Sequence, residues 1–168
     1  MTIERNPHEE VDRLLGTVDE VMERTVLVLA PGATLDEAAH EMERRGVSGA
    51  PVVEGGRVVG IVSLSDLFEI AGISAAQART ASPWRRYERR LSESGKTVRS
   101  AMTSAVYTLG PGASVAHAAE LMWEHGVNRV PIVGTDGQVE GIVAREDVVA
   151  AVARAGLGLR VRPPVLQP

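Results

Sequence analysis

The sequence predicts an α+β fold built from two copies of one unit, and two observations support this prediction. Shifting the chain against itself by 80 positions brings matching residues into register over two long segments. Each segment also shows the same order of strand, helix, hairpin and helix signals. A repeat of this length that occurs only twice indicates a duplicated domain half, not a solenoid. The matching pairs include Thr17 with Thr97, Met22 with Met102, Met42 with Met122, and Pro51 with Pro131.

The first part of the unit predicts a strand followed by a helix. The apolar run Val26–Leu29 predicts a short buried strand that ends at the turn signal of Pro31 and Gly32. Thr34 is a predicted N-cap, and Glu37 three residues later completes a capping box. The apolar face of this helix and the glycine that ends it comprise Leu35, Ala38, Ala39, Met42 and Gly46.

The second part of the unit predicts a hairpin and another helix. Two apolar runs, 51–53 and 57–62, are joined through Gly55 and Gly56, which is typical of a tight β-hairpin. The second copy has a joint that is one residue longer. The next helix is predicted to begin near Leu64 in the first copy and near Arg145 in the second. Each copy is therefore β-α-β-β-α, and since each is too small to be stable alone, we expect the two to pack together.

Composition limits the class of protein. The sequence has no cysteine, no apolar run long enough to span a bilayer, and a formal net charge of −4. These properties predict a cytoplasmic protein without membrane segments and without a general affinity for nucleic acid. The repeat divides the chain into an N-terminal arm or helix at 1–16, a first motif at 17–72, a basic linker at 73–96, a second motif at 97–155, and a C-terminal tail at 156–168.

The sequence contains no recognisable catalytic motif. A nucleophile elbow, a phosphate-binding loop and a zinc-binding His-Glu-x-x-His motif are all missing. His117 and His125 could share a helix face, but without cysteine or a closer histidine they are better explained as surface residues than as metal ligands. We therefore expect no enzyme activity, no catalytic residues, no metal site and no required cofactor.

The most informative motif is Gly-Ile-Val-x-x-x-Asp, which occurs once in each copy. It places Asp66 and Asp147 in the first turn of a helix, directly after a buried strand. Helix capping explains Asp66 well because Ser63 can serve as the N-cap, whereas Ala144 has no side-chain acceptor, so capping explains Asp147 less well. The alternative is that both carboxylates accept hydrogen bonds from ribose hydroxyls.

Together these features resemble the CBS domain family, small modules named after cystathionine beta-synthase that occur in tandem. The resemblance covers residues 17–70 and 97–152, and includes both Gly-Ile-Val-x-x-x-Asp motifs. It implies two motifs packed about a pseudo-twofold axis, with two clefts that can hold AMP, ADP, ATP or a related adenosyl ligand, and it suggests homodimers. The other segments that carry the resemblance are Met22, Met102, Gly46–Val53 and Gly126–Val133.

The resemblance implies that each cleft combines residues from both copies. Arg129 would meet the phosphate in the favoured cleft, a role for which a guanidinium fork is well suited. The second cleft is expected to bind more weakly, because Ala144 replaces the usual hydroxyl residue and Gly49 stands where the favoured cleft has Arg129. The favoured cleft would use Ser63, Asp66, Ala105, Val106, Asn128 and Arg129. The second cleft would use Thr25, Val26, Ser48, Gly49, Arg145 and Asp147.

The sequence thus favours a stand-alone regulatory module that binds an adenosine-type nucleotide, as in energy sensing, and signals to a partner protein. The first alternative is a ligand-free dimerisation or interaction scaffold, which the altered second cleft supports. A nucleic-acid contact through the basic linker, where Trp84 and Tyr87 lie beside Arg85 and Arg86, is less favoured.

Overall fold

The computed structural model describes residues 7–70, 72 and 84–156. A helix, a two-stranded hairpin and a second helix occur twice in order, which confirms the predicted α+β class. The elements are α1 (Pro7–Leu15), a 3-10 turn (Val18–Glu20), α2 (Leu35–Arg45), β1 (Gly49–Glu54), β2 (Arg57–Ser63), α3 (Leu64–Ile70), α4 (Trp84–Glu93), α5 (Val98–Ala101), α6 (Val115–His125), β3 (Arg129–Val133), β4 (Val139–Ala144) and α7 (Arg145–Arg154). The predicted tail lies outside the described residues beyond Gly156.

Helix α2 begins and ends at the predicted residues. Thr34 Oγ1 accepts a hydrogen bond from Glu37 N at 3.4 Å, and Glu37 Oε2 accepts one from Thr34 N at 2.9 Å, which closes the capping box. Gly46 ends the helix in the left-handed conformation, with a φ of 66°. The predicted apolar face of the helix is buried throughout.

The strand predicted at Val26–Leu29 is wrong in its extent. Only Leu29 pairs, in a single parallel bridge with Val52. Leu29 N donates to the carbonyl oxygen of Pro51 at 3.0 Å, and Leu29 O accepts from Val53 N at 2.9 Å. A turn begins two residues later, so the chain leaves the sheet after one pairing.

Both predicted hairpins are present. Strands β1 and β2 pair antiparallel, with Gly49 opposite Ser63 at the open end, and β3 and β4 form a second two-stranded sheet. Helices α3 and α7 start directly after β2 and β4, at Leu64 and Arg145, as the sequence predicts. Each hairpin therefore leads straight into the helix that carries the aspartate of the motif.

The chain divides into two compact units that interleave along the sequence. The start of each copy lies in the unit that contains the last helix of the other copy. Met22 of the first copy lies in unit 1 with α7 of the second copy. Met102 of the second copy lies in unit 2 with α3 of the first copy. Unit 1 comprises Met1–Arg24, Thr108–Ile132 and Gly141–Pro168. Unit 2 comprises Thr25–Tyr107 and Val133–Glu140.

The core of unit 2 lies between the first hairpin and helices α2, α3 and α4. Leu91 on α4 is only 1% exposed, so this part of the basic linker is a packed helix. The side chains at 84–88, which include the aromatic residues of the nucleic-acid hypothesis, lie outside the described residues. Burying one large aliphatic side chain contributes about 1.5–3 kcal/mol. The largest buried side chains of this core include Leu35, Met42, Val52, Val62, Leu67, Leu91 and Val98.

The core of unit 1 combines residues of the second copy with residues from the start of the chain. Helix α1 packs on α6, and Leu15 at its end joins Val115 and Ala151 in a small apolar cluster. The sequence leaves an arm or a helix open at 1–16, and the structure has a helix at Pro7–Leu15. The remaining core of unit 1 includes Val18, Met22, Ala118, Met122, Val130, Ile132 and Val143.

Candidate functional site

Each copy places its aspartate at the junction between the second hairpin strand and the helix that follows. We call Ser63–Asp66 the Asp66 turn, which lies in unit 2, and Ala144–Asp147 the Asp147 turn, which lies in unit 1. A short strand that runs directly into a helix fixes the backbone on both sides of the carboxylate. Both turns are therefore rigid positions for an acidic side chain.

Asp66 is a capping residue as well as a candidate ligand-binding residue. Its Oδ2 accepts hydrogen bonds from Ser63 N and from Ser63 Oγ, each at 2.7 Å. The side chain is half-buried. No described residue donates a hydrogen bond to Oδ1, so half of the carboxylate has no partner within this part of the chain.

Asp147 caps its helix in the same way, which corrects the sequence-based argument. Its Oδ2 accepts a hydrogen bond from Ala144 N at 2.7 Å, and again no described residue donates to Oδ1. The prediction that capping explains Asp147 less well is wrong, because the acceptor is the carboxylate and the donor is a backbone amide that every residue except proline carries. The recurrence of the aspartate therefore has a structural cause in both copies.

The glycine of each motif is required for a separate reason, because a methionine side chain packs closely against it. A Cβ atom on Gly60 would lie 2.8 Å from Cγ of Met102, and one on Gly141 would lie 2.8 Å from Cγ of Met22. Any larger residue would have to displace the thioether or the strand. The motif Gly-Ile-Val-x-x-x-Asp thus combines a packing requirement at the glycine with a capping requirement at the aspartate.

The surroundings of the Asp66 turn within unit 2 include several predicted site residues. Leu64 N donates to the carbonyl oxygen of Ser48 at 3.0 Å, and Gly49 lies opposite Ser63 in the hairpin. Ile61 exchanges two backbone hydrogen bonds, of 3.0 and 2.9 Å, with Thr103. The segment that continues from Thr103 contains the predicted residues Ala105, which is exposed, and Val106, which is half-buried.

Thr103 is a residue that the sequence-based reasoning missed. It is exposed, directly follows Met102, and pairs with Ile61 of β2. The repeat alignment could have identified it, because its counterpart Glu23 occupies the same position against Ile142 in unit 1. Both positions carry polar side chains on the segment that leads toward a predicted cleft residue.

The surroundings of the Asp147 turn within unit 1 mirror this arrangement. Arg145 N donates to the carbonyl oxygen of Asn128 at 3.0 Å, and Glu23 and Ile142 exchange two backbone hydrogen bonds of 3.0 Å. Arg145 is exposed at the start of α7. Asn128 is exposed and Arg129 is half-buried at the start of β3. The structure thus joins Asn128 by its backbone to the helix of Asp147.

The predicted clefts each draw residues from both units, and their composition stays a prediction. Unit 2 contains Ser63, Asp66, Ala105 and Val106 of the favoured set and Thr25, Val26, Ser48 and Gly49 of the second set. Unit 1 contains the remaining members, which are Asn128, Arg129, Arg145 and Asp147.

Among residues 7–70, 72 and 84–156, no group of three or more histidine or acidic side chains is placed to hold a metal ion. Within the same ranges, no helix combines the length and apolar character needed to cross a bilayer.

Comparison with known proteins identifies relatives over most of the chain. A CBS domain family model matches residues 18–72 and 98–154. Inosine-5'-monophosphate dehydrogenase of Halobacterium salinarum is 31% identical over 142 residues, which are 83% of this chain and 25% of that protein. The chloroplastic CBS domain-containing protein CBSX1 of Arabidopsis thaliana is 32% identical over 150 residues, covering 80% of this chain and 63% of CBSX1. The chain thus spans less than two thirds of either relative.

The fold is also shared with a solved structure. The crystal structure of CBSX2 from Arabidopsis thaliana in complex with AMP matches with a TM-score of 0.63 and 27% identity, covering 82% of this chain and 96% of CBSX2. The two segments matched by the family model span more than half of the chain and include both the Asp66 and the Asp147 turns. The chain therefore belongs to the CBS domain family and contains two CBS domains in tandem.

Proposed function

We propose that this chain is a regulatory module that binds an adenosine-type nucleotide and signals to a partner protein. The observation that carries the proposal is the hydrogen bonding of the two aspartate carboxylates. Each uses Oδ2 to cap its helix, and no described residue donates to Oδ1. The AMP complex of the similar protein CBSX2 supports the choice of ligand class.

The chemistry of a ribose fits this arrangement. The 2′ and 3′ hydroxyls are adjacent donors, and an ionised carboxylate offers about four lone-pair positions over its two oxygens. A ribose can therefore bind through Oδ1 while the capping hydrogen bonds at Oδ2 remain. Because the cap already orders the side chain, little rotamer entropy is lost when the nucleotide binds.

The two turns are not equally ordered. Asp66 is held by two hydrogen bonds from Ser63, whereas Asp147 is held by one from Ala144. We propose that the Asp66 site is the stronger one, in agreement with the sequence-based expectation. Ala105, Val106, Asn128 and Arg129 are its other proposed members, with Arg129 as the phosphate partner.

We also propose how the module acts in the cell. A nucleotide held by residues of both CBS domains favours one of their relative arrangements, and a partner protein that prefers this arrangement senses the ligand. The module would have no catalytic activity of its own, work as a homodimer in the cytoplasm, and report the energy state if AMP and ATP compete.

Thermal unfolding with nucleotides tests the proposal. For the full chain with AMP, ADP, ATP or S-adenosylmethionine at 1 mM each, we expect at least one ligand to raise the unfolding temperature. A ligand present at about 100 times its Kd adds about 2.7 kcal/mol of stability. For a chain of this size that corresponds to a shift of about 5–10 °C. If none of the four ligands shifts the transition, the scaffold alternative replaces nucleotide binding.

The proposed role of Arg129 in phosphate binding can be tested by measuring how its substitution and that of Asp66 combine in their effect on AMP binding. If both residues contact one bound nucleotide, Asp66→Asn and Arg129→Gln weaken AMP binding non-additively, with an interaction energy of about 0.5–3 kcal/mol. The measurement is isothermal titration calorimetry of the two single variants and the double variant. Additive losses would place the two residues in separate sites.

A further inference from the structure

A groove between α1 and α6 in unit 1 leaves an apolar side chain of α1 uncovered. Leu15, at the end of α1, is 9% exposed and packs against Val115. Val11, one helical turn earlier on the same side of α1, is 39% exposed and borders a groove of about 400 Å³. We call this the α1–α6 groove; it is lined by Val11, Asp12, Ser114, Ala116, His117 and Glu120.

The internal repeat shows that the equivalent position in unit 2 is covered. The shift of 80 positions aligns Val11 with Leu91 of α4, and α4 packs on α2 as α1 packs on α6. Leu91 is only 1% exposed and belongs to the core of unit 2. The described residues of unit 1 provide no equivalent cover for Val11, although removing this side chain from water would be favourable.

The rim of the groove is acidic. Asp12 and Glu120 are exposed, and neither forms an ion pair with another described residue. Glu9 on α1 and Glu124 on α6 lie one helical turn away from them and are also exposed. A segment that covers Val11 with apolar side chains and brings positive charges to this rim would therefore be attracted to the groove.

We propose that the α1–α6 groove holds the tail of the same chain, residues 157–168, which lie outside the described residues. This segment contains Arg160 and Arg162 and no acidic residue, so its charge complements the rim. The order Leu-Arg-Val-Arg at 159–162 alternates apolar and basic residues. In an extended chain such alternation directs the apolar side chains to one side and the arginines to the other. An apolar groove with an acidic rim fits this arrangement.

The tail starts close enough to reach the groove. Helix α7 ends beside the last turn of α1, because Ala155 and Leu15 line the same cavity. Val11 lies four residues before Leu15, which is about 6 Å along the helix axis. An extended chain covers about 3.3–3.6 Å per residue, so residues 157–162 span about 20 Å. The tail can therefore reach Val11 from the end of α7, and once docked it would hold α1 against α6.

Cross-linking between introduced cysteines tests the position of the tail, since the sequence contains no cysteine. In dilute full-length protein with a short bis-maleimide, Val11→Cys and Val161→Cys should form a link within one chain. The control pair is Val149→Cys and Val161→Cys. Val149 is 50% exposed on α7 and lies close to Val161 along the chain, so an undocked tail would reach it easily. We expect the Val11 link to exceed the Val149 link at least about fivefold. Equal yields, or a preference for Val149, overturn the inference.

Reversing the charges tests the acidic rim. Arg160→Glu together with Arg162→Glu should lower the yield of the Val11–Val161 link at least about threefold. Adding Asp12→Arg and Glu120→Arg should restore most of the yield, because the charges are then complementary again. All four positions are exposed or in the tail, so the unfolding temperature should stay within about 2 °C of the unmodified chain. Charge reversal without effect, or a loss that the reversed rim does not restore, refutes the docking.

A mixture of two singly substituted chains tests whether the tail comes from the same molecule. One chain carries Val11→Cys and the other carries Val161→Cys, and we expect few links between them compared with the doubly substituted chain. Links between chains at the yield of the intrachain link would show that the tail of a second copy occupies the groove, and would overturn the intrachain contact. Nucleotide binding is judged separately by the thermal shift.

Discussion

Replacing Asp66 separates its capping role from its proposed role in ribose binding. Asp66→Ala removes the acceptor for both hydrogen bonds from Ser63, which are 2.7 Å long. Asp66→Asn keeps one acceptor oxygen that can still receive the Ser63 amide. However, the second oxygen becomes an amide group that only donates, and the negative charge is lost. The two variants should therefore differ in stability but agree in ligand binding.

The expected magnitudes follow from the geometry. Loss of a capping side chain costs about 0.5–2 kcal/mol. For a chain of this size each kcal/mol lowers the unfolding temperature by about 2–4 °C, so Asp66→Ala should lower it by about 1–8 °C without ligand. Asp66→Asn should lose less than Asp66→Ala because a neutral cap remains. In both variants AMP binding should weaken at least about tenfold, since a charge-assisted contact to the ribose is lost.

Scanning calorimetry of the unliganded proteins and isothermal titration with AMP provide the two readouts, and Asp147→Asn is the matched control. At the Asp147 turn the same substitution should affect AMP binding less, because that site is proposed to be the weaker one. If Asp66→Asn binds AMP as tightly as the unmodified chain, the ribose role of Asp66 is refuted. Capping would then be the whole function of this side chain.

Two further predictions concern the residues around the aspartates. Gly60→Ala places a Cβ against Met102, whose Cγ would be 2.8 Å away, and should destabilise the protein by about 1–3 kcal/mol in urea unfolding. Adding Met102→Ala should recover part of this loss, whereas strictly additive costs would show that the close approach is not the cause. Ser63→Ala removes one of the two hydrogen bonds to Asp66, so we expect a loss of about 0.5–1.5 kcal/mol and weaker AMP binding by titration calorimetry. Unchanged AMP affinity would contradict the argument that Ser63 orders the carboxylate.

The parts of the fold that could be predicted from sequence depend on interactions between near neighbours. The capping box of Thr34 and Glu37, the left-handed Gly46 and the start of α3 at Leu64 are all confirmed. Each is determined within a few residues by hydrogen bonding or backbone conformation. The strand at Val26–Leu29 was predicted too long, because the length of a strand depends on its partner, and the partner contributes only one bridge.

Features that depend on distant segments could not be read from the repeat. The alignment places Met22 and Gly60 in the same copy, yet Met22 packs on Gly141 and Met102 packs on Gly60. Self-alignment shows which positions are equivalent, but it contains no information on which copy supplies a contact. The exposure of Trp123 could not be predicted from the sequence either, because an aromatic residue at helical spacing is more often part of a core.

The capping geometry changes how the aspartate motif supports function. The sequence suggested that Ala144 weakened the structural explanation for Asp147, but the carboxylate caps a backbone amide at 2.7 Å in either copy. Recurrence of the aspartate is therefore no evidence for a ligand, and the functional argument depends on Oδ1 alone. What distinguishes the copies is one hydrogen bond from Ser63 Oγ to Asp66. A neutral-donor hydrogen bond of this kind contributes about 0.5–1.5 kcal/mol, so its effect on the two sites should not exceed about tenfold in affinity. A larger difference between them would have to come from the other proposed members of the two sites, of which Arg129 and Gly49 differ most.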